Sequence, residues 1–225
     1  MPTITIDGKA LEFDQGQSIL EVAHDNGLKI PHYCYHPSLS VVANCRICLA
    51  EVWAPNPRND NKLEPLPKLL PTCQEPAGDG QVVYTSSPKA TANQKAVMEM
   101  LLNHHPIDCP TCDQAGECDL QDFAYEYGRG VRRHDAEKIT QSKKDIGDNV
   151  MLYGDRCIMC TRCVRFADEI SGTSELFIDG RGAKEYIDVF PGIGINNELS
   201  GNVIDICPVG AMLDKDFMFQ QPVWF

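Results

Sequence analysis

Eleven cysteines, spaced in three groups along 225 residues, limit what this chain can fold into more than any other feature. An odd number cannot form a complete disulfide framework, because one thiol would stay unpaired. The N-terminal stretch has neither a basic segment nor a long apolar one, so we expect no export signal. In a reducing compartment, cysteines are metal ligands or catalytic groups more often than disulfides. The cysteines are therefore candidate metal ligands.

The first group has the spacing C-x10-C-x2-C-x24-C and consists of Cys34, Cys45, Cys48 and Cys73. It is a lengthened version of the plant-type pattern of ferredoxins that hold a [2Fe–2S] cluster. Four thiolates also suit tetrahedral zinc, which is the alternative that the spacing leaves open. His32 and His36 flank Cys34. Because four cysteines already suffice, we expect both histidines to have surface or packing roles.

The second group contains only three cysteines and is one short of a four-ligand site: Cys109, Cys112 and Cys118. His105 would complete it as H-x3-C-x2-C-x5-C, and imidazole binds iron in Rieske centres. A single histidine near cysteines is usually structural, and the neighbouring His104 is an equal competitor. Spacing alone therefore does not choose between the two histidines.

The third group has the pattern C-x2-C-x2-C-x43-C-P and consists of Cys157, Cys160, Cys163 and Cys207. Bacterial ferredoxins share the C-x2-C-x2-C triplet and the final cysteine followed by proline. In two-cluster ferredoxins that last cysteine binds the other cluster, so by spacing Cys207 could instead complete the second group. The three groups use every cysteine and predict one [2Fe–2S] and two [4Fe–4S] clusters. Three arginines lie beside these ligands and would either offset cluster charge or form surface salt bridges: Arg46, Arg162 and Arg165.

The predicted elements begin with a hairpin and a helix. Residues 3–13 alternate around an Asp7–Gly8 turn, and Ser18 with Glu21 forms a capping box for a helix that ends near Gly27. This order is that of a β-grasp ferredoxin. The five prolines in residues 54–71 predict an irregular surface excursion.

Further along the sequence, Ser87–Pro88 is expected to start a helix that ends at His105–Pro106. The polar stretch 128–150 is expected to be an exposed connection. A helix is expected beyond Cys163, and Cys207–Pro208 should open another short one.

Composition and missing motifs exclude several functions. The net charge of −12 argues against a nucleic-acid partner, and no run of eighteen apolar residues predicts a membrane span. The sequence has no G-x-G-x-x-G fingerprint for a dinucleotide and no nucleophile–base pair, so we assign no catalytic residue. The chain is expected to carry electrons without transforming a substrate itself.

With these motifs in view, the chain resembles the family of the large, iron–sulfur-rich subunit of the respiratory NADH:quinone oxidoreductase (complex I). The stretches that carry the resemblance are residues 31–36 (PHYCYH), 44–49 (NCRICL), 108–114 (DCPTCDQ), 116–122 (GECDLQD), 156–166 (RCIMCTRCVRF), 198–202 (ELSGN) and 207–211 (CPVGA). They are spread along the chain from residue 31 to residue 211, and none lies in the proline-rich stretch.

The resemblance implies an α+β chain in three parts: a β-grasp [2Fe–2S] domain at 1–85, a one-histidine, three-cysteine [4Fe–4S] segment at 86–127, and a four-cysteine [4Fe–4S] domain at 128–225. It assigns His105 to the second group and Cys207 to the third. It also implies an NADH- and FMN-binding flavoprotein and other peripheral-arm subunits as partners, with electrons passing toward quinone. The implied location is peripheral, on the cytoplasmic face of the inner membrane or on the matrix side in mitochondria.

The family usually continues into a large molybdopterin-oxidoreductase-like domain, whereas this sequence stops at residue 225. The terminal Trp224 and Phe225 are expected to mark a fragment, a split gene or a surface that a partner covers. Two alternatives stay open. In the first, the chain is the diaphorase-side electron-transfer subunit of a soluble NAD-linked hydrogenase or formate dehydrogenase. In the second, it is a zinc protein without redox function.

Overall fold

The computed structural model describes residues 1–135, 137–138, 140–141 and 143–221. The chain divides into two compact units. The first consists of Met1–Tyr35 with Val41–Met98, and the second of His36–Ser40 with the residues from Glu99 onward. The aromatic terminus at residues 222–225, for which a fragment end or a covered surface was expected, lies outside the described residues.

A mixed β-sheet forms the centre of the first unit. Its strands are β1 (Thr3–Ile6), β2 (Lys9–Glu12), β3 (Leu49–Asn56), β4 (Lys62–Pro65), β5 (Leu70–Pro71) and β6 (Val82–Tyr84). The strand order is β2-β1-β6-β3-β4, and β5 pairs with β3 beside this path. β1 runs antiparallel to β2 and parallel to β6, so the first and last strands of the unit are neighbours. The sheet confirms the predicted β-grasp order.

The hairpin of β1 and β2 turns where the sequence predicts. Asp7 and Gly8 both have positive φ, 46° and 85°. A two-residue turn with two positive φ angles matches the right-handed twist of its strands, and Asp-Gly is a preferred pair for it. Thr3 pairs with Glu12 and Ile6 with Lys9.

Helix α1 (Ile19–Asp25) has the predicted capping box. The Ser18 hydroxyl accepts a hydrogen bond from the Glu21 N–H at 3.2 Å, and a Glu21 carboxylate oxygen accepts one from the Ser18 N–H at 2.7 Å. Gly27 follows the helix with a φ of +67°, which glycine adopts without strain. The helix packs its apolar face into the core of the first unit through Ile19, Leu20, Val22 and Ala23.

The proline-rich stretch 54–71 lies at the surface, as expected, but it is not irregular. β3 and β4 pair across it, and Asp60 and Asn61 make the turn with φ of 49° and 54°. Pro65 lies on the edge strand β4, where no outer neighbour needs its missing N–H. Pro55 lies beyond the last residue of β3 that pairs with β6. A strand pair forms despite the prolines, because Pro55 and Pro65 occupy positions that do not need a backbone N–H donor.

Helix α2 (Pro88–His104) begins and ends as predicted. The Ser87 hydroxyl accepts a hydrogen bond from the Ala90 N–H at 3.2 Å. Pro88 occupies the first position, where a backbone N–H would have no partner inside the helix. Within the described ranges, no helix is both long and apolar enough to cross a membrane.

The second unit combines two small sheets with short helices. β11 (Met212–Asp214), β8 (Val150–Tyr153) and β7 (Lys143–Asp145) form an antiparallel sheet in that order, and β9 (Leu176–Asp179) pairs with β10 (Tyr186–Val189). The helices are α3 (Asp119–Tyr127), α4 (Arg162–Glu169) and α5 (Asn202–Ile206). α4 confirms the helix predicted beyond Cys163.

Two expectations for the second unit are wrong. Cys207–Pro208 does not open a helix, because α5 ends at Ile206 and the backbone then turns into β11. The stretch 128–150 is not an exposed connection throughout, because it contains β7, and Ile146 and Val150 are 2% and 0% exposed. The charged residues before β7 and on it gave this stretch a polar composition that masked the two core positions.

Candidate metal centres

The four cysteines of the first group lie together in the first unit. The Sγ atoms of Cys34 and Cys45 are 3.4 Å apart, and those of Cys48 and Cys73 are 3.7 Å apart. Cys34 also interacts with Cys73, which joins the two pairs. Two sulfurs on one tetrahedral metal with bonds of about 2.3 Å lie about 3.8 Å apart. Each pair therefore has the spacing of two ligands on one metal ion.

Crowding of these sulfurs favours thiolates in two positions. Hydrogen bonding to the Cys45 thiol, and then to Cys73, lowers the pKa of Cys34 to about 2. A hydrogen bond with Cys73 lowers the pKa of Cys48 to about 7. The same contacts raise the pKa of Cys45 and of Cys73, because each of these thiols holds the proton beside a thiolate. A metal cation would replace those protons.

The loop between Cys34 and Cys48 presents backbone N–H groups to these sulfurs. Backbone hydrogen bonds from Cys45 and Asn44 contribute to the lowered pKa of Cys34. Ala43 and Arg46 have positive φ of 47° and 59°, and such residues make the backbone concave toward an anion. The concave loop suits a negatively charged sulfur-rich group. Arg46 itself is exposed.

In the second group, the structure distinguishes the two candidate histidines. His104 is exposed, whereas His105 is half-buried and its Nδ1 atom is buried without a hydrogen-bond partner among the described residues. Burial lowers the pKa of His105 to about 4, so the ring is neutral at pH 7. A neutral imidazole with a free buried nitrogen is the form that binds a metal. This observation supports His105 over its neighbour.

The cysteines of the second group lie in the loop before α3. Cys112 and Cys118 are 8% and 9% exposed, and Cys109 is half-buried. Burial raises the pKa of Cys112, and it raises the pKa of Cys118 to about 11. Burial favours the protonated form of these thiols, whereas coordination by a metal deprotonates a thiol outright.

The third group lies between β8 and the turn after α5. Cys157, Cys160 and Cys207 are the electrostatic neighbours of Cys163, so the structure places Cys207 with this triplet. Burial raises the pKa of Cys157 to about 12, of Cys160 to about 11, and of Cys163 well above its usual value. Burial also raises the pKa of Cys207.

The triplet loop is also concave. Met159 and Thr161 have positive φ of 53° and 62°, and the Met159 N–H donates to Cys157 Sγ at 3.3 Å. Backbone hydrogen bonds involving Val209, Met212 and Ala211 lower the pKa of Cys207 against the effect of burial. As in the first group, backbone N–H groups surround sulfur atoms that would otherwise be costly to ionise.

No three histidine, cysteine or carboxylate side chains in the described ranges converge on one metal-ion position. An iron–sulfur cluster spreads its ligands over several irons, so its thiolates need not converge in this way. The unpartnered His105 nitrogen, the paired sulfurs and the concave loops are chemically suited to iron–sulfur groups.

Two of the three arginines singled out in the sequence act on the third group. Arg165 is 7% exposed, and its Nη2 donates to the Cys160 carbonyl at 3.3 Å. The charges of Arg162 and Arg165 both lower the pKa of Cys160 against the effect of burial. Sequence reasoning missed a fourth arginine, Arg156, which is 3% exposed. Its position directly before Cys157 was the available signal.

Family models match three successive parts of the chain. A 2Fe-2S iron-sulfur cluster binding domain matches residues 1–88. The NADH-ubiquinone oxidoreductase-G iron-sulfur binding region matches residues 94–133, and the ferredoxin-like domain of NADH-quinone oxidoreductase subunit 3 matches residues 147–213. The chain therefore contains a 2Fe–2S binding domain followed by 4Fe–4S binding regions, which confirms the predicted α+β fold class.

Curated relatives of the chain include subunits of NADH-quinone and NADH-ubiquinone oxidoreductases. An NADH-quinone oxidoreductase subunit of Rickettsia bellii is 40% identical over 100% of this chain and 31% of its own length. The mitochondrial NADH-ubiquinone oxidoreductase 78 kDa subunit of Candida albicans is 41% identical over 98% of this chain and 29% of its own length. The chain thus spans less than a third of the curated relatives it matches.

Among solved structures, a chain of an NAD+-reducing [NiFe]-hydrogenase in the H2-reduced state is similar with a TM-score of 0.82. The two chains are 30% identical, and the similarity covers 99% of this chain and 91% of the other. Since the family models and these relatives agree with the motif stretches, the resemblance inferred from sequence is confirmed. Over almost its whole length the chain corresponds to the N-terminal, iron–sulfur-binding region of the large iron–sulfur subunit of NADH-quinone oxidoreductase, the 78 kDa subunit of the mitochondrial enzyme.

Proposed function

We propose that the chain relays electrons from an NADH-oxidising flavoprotein partner toward quinone within complex I. Two observations support this proposal: the cysteines of each sequence group are neighbours in the structure, and His105 has a buried ring nitrogen without a hydrogen-bond partner among the described residues. Iron–sulfur clusters bound at such groups accept and release single electrons. The relatives' names, which are those of NADH-quinone oxidoreductase subunits, support the direction of flow.

The proposed ligand sets define one [2Fe–2S] and two [4Fe–4S] clusters. The [2Fe–2S] ligands are Cys34, Cys45, Cys48 and Cys73. The ligands of one [4Fe–4S] cluster are His105, Cys109, Cys112 and Cys118. The ligands of the other are Cys157, Cys160, Cys163 and Cys207. The corresponding domains are 1–85, 86–127 and 128–225.

Cys34, Cys45, Cys48 and Cys73 would together hold the [2Fe–2S] cluster. Their sulfur atoms lie close to one another, at 3.4 Å for Cys34 and Cys45 and at 3.7 Å for Cys48 and Cys73. Backbone N–H groups of the concave loops stabilise the thiolates, and burial limits contact with water. In the second set, the neutral His105 replaces one thiolate and so removes one negative charge.

The partners belong to the same proposal. They are the NADH- and FMN-binding flavoprotein, other peripheral-arm subunits, and a molybdopterin-oxidoreductase-like domain where that is a separate chain. The protein would then lie at the cytoplasmic face of the inner membrane, or on the matrix side in mitochondria. It holds the relay, while substrate chemistry takes place on the partners.

A second candidate function rests on the solved structure. The similarity to a chain of an NAD+-reducing [NiFe]-hydrogenase extends over 91% of that chain at a TM-score of 0.82. This observation favours an electron-transfer subunit on the diaphorase side of a soluble NAD-linked enzyme. The cluster ligands and the electron relay would be the same, and only the final acceptor would differ.

Mixing the anaerobically prepared chain with NADH tests the relay. We expect no NADH oxidation and no cluster reduction by the chain alone, because it has no dinucleotide fingerprint. Adding an NADH-oxidising flavoprotein of this family should reduce the clusters, which low-temperature EPR would detect. Dithionite serves as the positive control for reducible clusters.

NADH oxidation by the pure chain without added flavoprotein would contradict the proposal. Failure of the flavoprotein to reduce clusters that dithionite does reduce would also contradict it. Assays on the native complex distinguish the two candidate functions. Quinone reduction by the complex that copurifies with the chain supports the first, and H2-dependent NAD+ reduction supports the second.

A further inference from the structure

Arg156 is a buried cation between the loops of the second and third cysteine groups. Its side chain is 3% exposed and packs over the Tyr153 ring, with the guanidinium carbon 4.6 Å from the ring centroid. Its Nη2 donates to Asp108 Oδ2 at 2.8 Å, and Asp108 directly precedes Cys109. One N–H of the Arg156 guanidinium thus pairs with the Asp108 carboxylate, whose side chain is 38% exposed.

The remaining donors of Arg156 are unused. Its Nε and Nη1 atoms are buried and have no hydrogen-bond acceptor in the part of the chain that is described. Buried donors are costly to leave unpaired, and those of a charged group most of all. A buried guanidinium whose Nε and Nη1 have no acceptor among the described residues therefore has donors available for a bound group.

The surroundings of Gly210 show that Cys112 lies near the aliphatic part of the Arg156 side chain. A Cβ atom built on Gly210 would be 2.6 Å from Cys112 Sγ and 3.8 Å from Arg156 Cδ. Cys112 and Arg156 thus approach the same point of the backbone. Their charges interact, and the charge of Arg156 also acts on His105. The cation therefore lies beside two members of the second group.

We propose that Arg156 sets the reduction potential of the cluster held by His105, Cys109, Cys112 and Cys118, with its Nε and Nη1 atoms donating to the sulfur atoms of that cluster. The inference rests on the proposed function, because it requires a cluster at this site. One-electron reduction by the flavoprotein partner adds one negative charge, and Arg156 remains protonated throughout. A fixed buried cation stabilises the reduced form and raises the potential.

The test is an EPR-monitored redox titration of the anaerobically prepared chain in a Cys160→Ser background, which isolates the cluster of the second group among the [4Fe–4S] signals. Arg156→Gln should lower the ratio of reduced to oxidised cluster at a fixed potential about tenfold, or about 59 mV for one electron. Arg156→Lys keeps the charge but loses the planar fork, so its shift should be smaller. Arg58→Gln removes the same charge from an exposed loop and should shift nothing.

Asp108→Asn separates electrostatics from a purely structural role. It breaks the same ion pair but removes a negative charge, so the potential should rise. A structural role predicts that both variants lose iron or shift in the same direction. An unshifted cluster in Arg156→Gln, or a lowered potential in Asp108→Asn, would overturn the inference.

If Arg156→Gln does not retain the cluster, the test uses the other two variants. The signs of the potential shifts in Arg156→Lys and in Asp108→Asn then decide whether the inference holds. A rise in Arg156→Lys, or no rise in Asp108→Asn, would overturn the inference. Iron content and the EPR signal of the unmodified chain are measured first. Absence of that cluster in the unmodified chain would overturn the proposed function and this inference together, whereas a present but unshifted cluster overturns the inference alone.

Discussion

Cys160→Ser is expected to abolish one [4Fe–4S] EPR signal and to remove about four irons per chain. Cys160 is 8% exposed and lies in the concave loop with Cys157, where serine offers a weaker ligand than a thiolate. The [2Fe–2S] signal should stay intact, because its proposed ligands belong to the first compact unit and Cys160 to the second. Low-temperature EPR with iron analysis measures both effects.

The matched variant is Cys48→Ser, which changes a buried cysteine of the first unit. It should give the reverse pattern, with loss of the [2Fe–2S] signal and retention of both [4Fe–4S] signals. Circular dichroism confirms that each variant is folded. Loss of the [2Fe–2S] signal in folded Cys160→Ser would show that the cysteines are divided wrongly.

His105→Ala is expected to lose or strongly weaken the second [4Fe–4S] cluster, while His104→Ala should do little. The reason is the contrast between the two rings: His105 has a buried nitrogen without a partner among the described residues, and His104 is exposed. His105→Cys should keep roughly the full iron content, because a thiolate is also an iron ligand. Its added negative charge should lower the potential of that cluster, consistent with the higher potentials that histidine ligation gives Rieske centres.

Protein-film voltammetry and EPR on the three variants measure these effects together. His104→Ala is the matched control, since it removes the adjacent imidazole without touching the buried one. An unchanged second cluster in His105→Ala would place the fourth ligand elsewhere. A rise in potential in His105→Cys would contradict the charge argument.

Local signals in the sequence predicted much of the first unit. The Asp7–Gly8 turn and the Ser18–Glu21 capping box depend on backbone geometry within a few residues, so the sequence contains all the information they need. The grouping of the cysteines was also visible as spacing, because ligands in one loop must follow each other closely. The ligand roles themselves stay a prediction.

The misses involve contacts between residues distant in the sequence. Residues 54–71 form a strand pair because the sheet has an edge there that accepts prolines, and no local pattern reveals an edge. Cys207–Pro208 follows a helix because the backbone must return to pair Met212 with Leu152. Arg156 directly precedes Cys157, but only the fold shows its burial and its two unused donor nitrogens.

Iron and acid-labile sulfide analysis of the anaerobically prepared chain, with low-temperature EPR, tests the central claim most directly. One [2Fe–2S] and two [4Fe–4S] clusters predict about ten irons and about ten sulfides per chain. The reduced sample should show one [2Fe–2S] and two [4Fe–4S] signals. A colourless protein with substantial zinc and fewer than about four irons per chain would contradict the account.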